Sequence, residues 1–169
     1  MNSIEKITPK MEKVEIFEMP NCFVVGVAKR NHQLQNGAGS LWGELYNSGT
    51  LKKLVELPRI IPNHFLGWTG DCCEDESNPT RDFTYMVGVL VPYATPIPDE
   101  FDYCVLRSTL VGKGLLGQDM GEAIAELVKM GYEPNYGDNN GWNAELYLDG
   151  EPDEDKWSWI IPVKKIKGE

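Results

Sequence analysis

Apolar and polar positions follow two alternating periods along the chain. Residues 23–30, FVVGVAKR, are rich in β-branched types and predict a strand. The preceding VEIFEMPN predicts a short extended segment that ends in the turn signal Pro20-Asn21. From Ser40 the period becomes helical: Leu41, Trp42, Leu45 and Tyr46 recur on one stripe, and Leu51, Leu54 and Val55 continue it beyond Gly49. A helix capped by Ser40 and interrupted or offset at Gly49 is therefore expected. Residues 64–75 and 81–92 predict an antiparallel strand pair. Three of the chain's eleven prolines then fall within PYATPIPDE and mark a joint.

The second stretch repeats the order. Residues 101–112, FDYCVLRSTLVG, predict one strand. In QDMGEAIAELVKMG a single apolar stripe of Met120, Ala123, Ile124, Leu127 and Val128 predicts a helix; Asp119 with Glu122 makes its capping-box-like start and Gly131 its stop. NAELYLDG and KWSWIIPVKK predict the last two strands. Both halves close on an apolar strand ending in proline, VGVLVP and WSWIIP. Two strand-helix-strand-strand units, about 14–92 and 101–166, are thus expected within one domain spanning 1–169. Joined as one curved antiparallel sheet with a helix from each unit, they give an α+β fold with a cleft between the units, where ligand sites are favoured.

Composition narrows the function. Hydrophobic residues at 41% and charged residues at 25% describe an ordinary globular chain. The net charge of −10, from 26 acids against 16 lysines and arginines, opposes a nucleic-acid backbone, so no direct nucleic-acid binding is expected. The N-terminus has early charges and no apolar h-region, and no run approaches the ~18 apolar residues of a membrane span. Cys22, Cys72, Cys73 and Cys104 form no metal-ligand spacing. Adjacent Cys72 and Cys73 suit neither an ordinary bridge nor a zinc site, so reduced thiols, no metal, no cofactor and a cytoplasmic location are expected.

The candidate chemistry lies in the last third. Strand alternation puts Glu145 and Tyr147 on one face of NAELYL and Leu146 and Leu148 on the other. A carboxylate beside aromatic rings on a pleated surface suits a cationic or hydrogen-bonding organic ligand. Trp68 and Tyr85 lie on the first unit's paired strands and are expected to face Glu145 across the cleft. Trp42 stands on a helical stripe, between core and cleft. Trp157 and Trp159 share one strand face, which leaves open whether that face is cleft or core. Tyr103 and Trp142 are weaker candidates. His32 and His64 stand in or next to predicted loops and read as surface histidines, with no nucleophile motif beside them. VGKGLLGQD lacks the Lys-Ser or Lys-Thr pair of a phosphate loop and reads as a strand exit and helix entry.

FVVGVAKR followed by SLWGEL, then TYMVGVLV, the proline-rich joint, FDYCVLRSTLVGKG, MGYEPN, AELYLDGEP and WSWIIPVK, resembles in order and spacing the GyrI-like family. That family includes the effector-binding domain of AraC-type and MerR-type multidrug regulators. The resemblance covers about residues 14–166. It implies a concave sheet that binds amphipathic, often cationic molecules, with the ligand-facing acid at Glu145 and the helix tryptophan at Trp42. With about 13 residues before the first strand, no DNA-binding half is expected. The resemblance also implies two alternatives: hydrolysis of reactive cyclopropane-type electrophiles with Glu145 as acid or base, and a gyrase-inhibitor-like protein-interaction module. A stand-alone protein binding a small organic ligand is the leading expectation.

Overall fold

The chain, in a computed structural model that describes residues 6–9, 13–30, 33–34, 37–70, 83–135, 141–149 and 157–167, builds its strands from β-branched runs and its helices from the two periodic stripes. In order these are β1 (Glu15–Met19), β2 (Cys22–Arg30), α1 (Ala38–Asn47), α2 (Thr50–Leu54), β3 (His64–Gly70), β4 (Thr84–Pro92), β5 (Asp102–Leu106), β6 (Thr109–Lys113), α3 (Met120–Lys129), β7 (Tyr132–Pro134), β8 (Asn143–Leu148) and β9 (Trp157–Lys165).

The helix ends follow local chemistry. At α3, Asp119 Oδ1 accepts the Glu122 N–H at 2.8 Å, and Gly131 follows at φ 91°. Gly49, at φ 78°, separates α1 from α2 and turns the expected single stripe into two helices. Ser40 is not the cap of α1. The helix begins earlier, behind Gly37, and the Ser40 hydroxyl donates back to the Gly37 carbonyl at 2.7 Å.

Every strand pairing is antiparallel, in the order β1-β6-β9-β8-β3-β4-β2-β5, with β7 added on β9. The single strand expected over 101–112 is broken at Arg107-Ser108. Its first part, β5, pairs with β2 at one end of the sheet, and its second, β6, lies between β1 and β9 at the other. Pro20-Asn21 divides β1 from β2 in the same way. In a flat sheet β1 and β2, six strands apart in the order, would be separated by about 29 Å. The chain from Met19 to Cys22 reaches at most about 11 Å. The same mismatch holds from β5 to β6. Two two-residue corners therefore force the sheet to curl until its ends meet. They are tied together where the Asn21 side-chain oxygen accepts the Ser108 N–H at 2.8 Å. Midway along β2 and β4, the opposed Gly26 and Gly88 let the backbones approach more closely than a side chain would allow: a Cβ on Gly26 would fall 2.0 Å from the Val87 carbonyl oxygen.

Curling separates two apolar faces. One gathers Met19, Cys22, Val24, Leu66, Trp68, Met86, Leu90, Leu106, Val111, Trp142, Leu146 and Ile160 into the largest buried cluster. The other carries all three helices. Helices α1 and α2 set Leu41, Leu45 and Leu54 against Tyr85, Val87, Val25 and Val89; α3 sets Leu127 against Ile161 and Val163. No helix among the described residues is long and apolar enough to cross a membrane.

Replacing Asn21 with alanine leaves the Ser108 N–H without its acceptor at a partly solvated corner. Loss of about 1 kcal/mol of stability is expected, read as a lower denaturation midpoint at unchanged slope, with Asn21→Asp retaining most of it.

Candidate functional site

Strand alternation and register fix which side chains share the helix-bearing face. Glu145 on β8 lies opposite Gly67 on β3 and Trp159 on β9, while Tyr147 lies opposite Phe65 and Trp157. Directly opposed residues have Cβ atoms about 5 Å apart, so these side chains adjoin. Helices α1 and α2 pack over β2, β4 and Phe65 of β3, and α3 packs over β9 and β6. Glu145 and Tyr147 of β8 belong to neither packed cluster and are half-buried on the floor between them.

Aromatic rings wall this floor. Trp42, carried by α1, meets Tyr147 with ring centroids 4.8 Å apart and Phe65 at 6.3 Å; Tyr147 meets Trp157 at 6.4 Å; Trp157 and Trp159 cross edge to face at 5.0 Å. Such tilted contacts match the ring quadrupoles. The Tyr147 hydroxyl donates to the Glu145 carboxylate. Trp42 Nε1 donates to the Tyr85 hydroxyl at 2.8 Å, which brings α1 and β4 together. Gly67 makes room for that hydroxyl: a Cβ there would lie 2.4 Å from the Tyr85 hydroxyl oxygen and 3.5 Å from the Tyr147 ring.

The electrostatics follow from burial. Loss of water around Glu145 raises its carboxyl above the usual glutamate range, and the Tyr147 hydrogen bond pulls only partly the other way. Burial, reinforced by the negative charge of Glu145, pushes the Tyr85 hydroxyl up as well, against the lowering effect of the Trp42 hydrogen bond. In both groups burial shifts the balance toward the uncharged form. Among the described residues no basic side chain pairs with Glu145. Arg59, whose guanidinium lies 5.8 Å from the Phe65 ring, is held by both carboxylate oxygens of Asp149 at 2.8 and 2.9 Å.

Of the residues singled out from sequence, the fold brings together Glu145, Tyr147, Tyr85, Trp42 and Trp157, and adds Trp159 on the same face. Trp68 does not join them. It pairs in register with Ala144 and Met86, so it faces the opposite side of the sheet from Glu145 and is 2% exposed in the large inner cluster. Trp142 lies in the same cluster at 1% exposure, although it precedes a strand in irregular chain. Tyr103 stands on β5, four strands from β8. His64 is buried, not superficial: it opens β3 on the inner face, its Nδ1 lies 2.8 Å from the Pro62 carbonyl, and burial lowers its pKa. His32, Cys72 and Cys73 lie outside the described residues. Cys22 is a free, buried thiol, and burial pushes it up to about 12. Cys104 is disulfide-bonded, which corrects the expectation of reduced thiols throughout; the adjacency of Cys72 and Cys73, on which that expectation rested, says nothing about Cys104. Phe65 and Gly67 adjoin these side chains and were not singled out from the sequence. A glycine inside an otherwise apolar strand was the available signal for the second.

The sequence matches no protein-family model and no curated protein. Solved structures share the fold. A candidate bacterial transcription regulation protein from Staphylococcus aureus MU50 superposes with a TM-score of 0.58 at 17% identity, over 90% of this chain and 99% of that one. The protein SAV2435 bound to tetraphenylphosphonium superposes with a TM-score of 0.59 at 17% identity, over 90% of this chain and 94% of that one. At such identity the likeness is one of fold: a curled antiparallel sheet with helices on one face.

Proposed function

We propose that this chain is a small-molecule-binding protein of the GyrI-like type, which takes amphipathic aromatic cations into the cleft floored by β8 and uses Glu145 as their counter-charge. The supporting observation is a half-buried carboxyl among Trp42, Tyr147, Trp157 and Trp159 that accepts from a tyrosine hydroxyl two residues along its own strand. An acid buried to stabilise the fold would be expected to meet a guanidinium or several backbone N–H groups, as Asp149 meets Arg59 here. An acid held by one exchangeable hydroxyl within a ring-lined space is suited to an incoming positive charge. The structural neighbour bound to tetraphenylphosphonium supports the class of ligand, and the transcription regulation protein of the same fold supports a link between ligand binding and regulation.

Titration with tetraphenylphosphonium, followed by quenching of the cleft tryptophans, tests this reading. Glu145→Gln is expected to weaken the cation by at least tenfold while changing the affinity of uncharged triphenylphosphine oxide less than twofold. Equal loss for both compounds, or no saturable binding by the wild type, would sink it. Gly67→Val puts bulk where the Tyr85 hydroxyl rests, so both compounds should bind more weakly in a variant that still unfolds cooperatively. Trp68→Phe, a change in the inner cluster, is expected to lower stability by about 1–3 kcal/mol and to leave the affinity of the folded protein for both unchanged.

A further inference from the structure

Among the described residues the cleft pairs its carboxyl with no countercharge, and this bears on what filling it requires. On β8, Tyr147 donates its hydroxyl to Glu145; on β4, Tyr85 presents a second hydroxyl, occupied by the indole N–H of Trp42. The other elements against the carboxyl contribute Gly67 and Phe65 from β3, Trp157 and Trp159 from β9, and Trp42 from α1, none of which ionises. Arg59, near the Phe65 end, is bound by Asp149. An anion in such surroundings is desolvated with the Tyr147 hydroxyl offsetting only part of the penalty, whereas a neutral acid keeps that donor on Oε2, carries its proton on the other oxygen and leaves no charge to desolvate.

Resting on the cation-binding reading above, we propose that the site exchanges one proton for each cation it takes up. The unliganded cleft holds Glu145 as a carboxylic acid; as the organic cation settles against the rings, the carboxyl O–H bond breaks, the proton leaves to solvent, and the carboxylate remains as the ligand's counter-ion. Net charge in the cleft is zero before and after. An uncharged ligand of the same shape leaves the proton in place. Cation uptake is thereby favoured at higher pH, and selection between charged and uncharged ligands becomes a function of pH. The raised carboxyl described above agrees with this exchange.

Calorimetric titration of the intact chain with tetraphenylphosphonium, at one pH in buffers of different ionisation enthalpy, counts the protons released. Close to one proton per ligand is expected on the acid side of the carboxyl's titration, with affinity rising about tenfold per pH unit there and levelling above it. Triphenylphosphine oxide should release none and bind independently of pH. Binding of the cation without proton release, or a pH dependence that persists in Glu145→Gln, overturns the exchange and leaves the binding function standing. No binding at any pH overturns both.

A ligand-free measurement tests the same state. Because the folded protein holds this proton more tightly than the unfolded chain, wild-type stability relative to Glu145→Gln should be constant below the unfolded carboxyl's range near ~4.3. It should fall as pH rises from there through the higher folded value, then stay at its new level. A stability difference that is flat from pH 4 to pH 8 also overturns the proposal.

Discussion

The two two-residue corners, Pro20-Asn21 and Arg107-Ser108, are the constraint from which the remaining architecture follows. Each joins a strand at one end of the sheet to a strand at the other, and neither is long enough to cross a flat sheet. Hydrophobic burial alone would tolerate many curvatures. Chain length does not, and the Asn21–Ser108 hydrogen bond ties the corners to one another. Once the sheet is curled, its inner face must be filled by side chains, and Trp68, Trp142 and Met86 fill it. The outer face is left to the helices. Because α1 with α2 and α3 sit over opposite ends of that face, the carboxyl and ring of β8 are left between them.

Register then turns architecture into chemistry. Alternation admits no intermediate: a residue on β3, β8 or β9 faces either the inner cluster or the helices. Placing Glu145 opposite Gly67 and Trp159 sets the acid between a position with no side chain and one with the largest. The open position is taken by the Tyr85 hydroxyl, and the Trp42 indole reaches down from α1 to bond it. One hydrogen bond therefore links the helix to the floor of the site, and the glycine beneath is as much a part of the site as the aromatic residues above.

Much of this was legible in the residues. The stripe from Met120 to Val128, its Asp119 cap and the offset at Gly49 were readable because each depends on a few neighbouring positions. Glu145 and Tyr147 on one face followed from alternation within a single strand. Reading failed where the outcome depended on pairing between strands. Trp68 and Tyr85 each lie on a strand of the first unit, yet which face each presents is set by the registers Trp68–Met86 and Thr69–Tyr85, and these put the two rings on opposite sides. The run 101–112 looked like one strand because its composition is continuous; the break at Arg107-Ser108 comes from the sheet's closure and leaves only a weak polar mark. His64 follows a turn-prone segment, so its burial was hidden until β3 was paired with β8 at Leu148.

Among the described residues, the ionisable groups withdrawn from solvent are bonded in two different ways. Lys113, fully buried, donates to the carbonyls of Lys13 and Gly114 at 2.7 and 2.8 Å; Arg59 is gripped by Asp149 and also reaches the His64 carbonyl at 3.3 Å. Lys113 ties to the Lys13 carbonyl and Arg59 to Asp149 across long stretches of sequence, and removing Asp149 would leave the Arg59 charge without its counter-ion. The Glu145 contact with Tyr147 joins a strand only to itself. It links no two strands and so adds nothing to the closure of the sheet. A half-buried acid whose bonding is local, between helices that are anchored elsewhere, is the group on which the proposed cation binding rests.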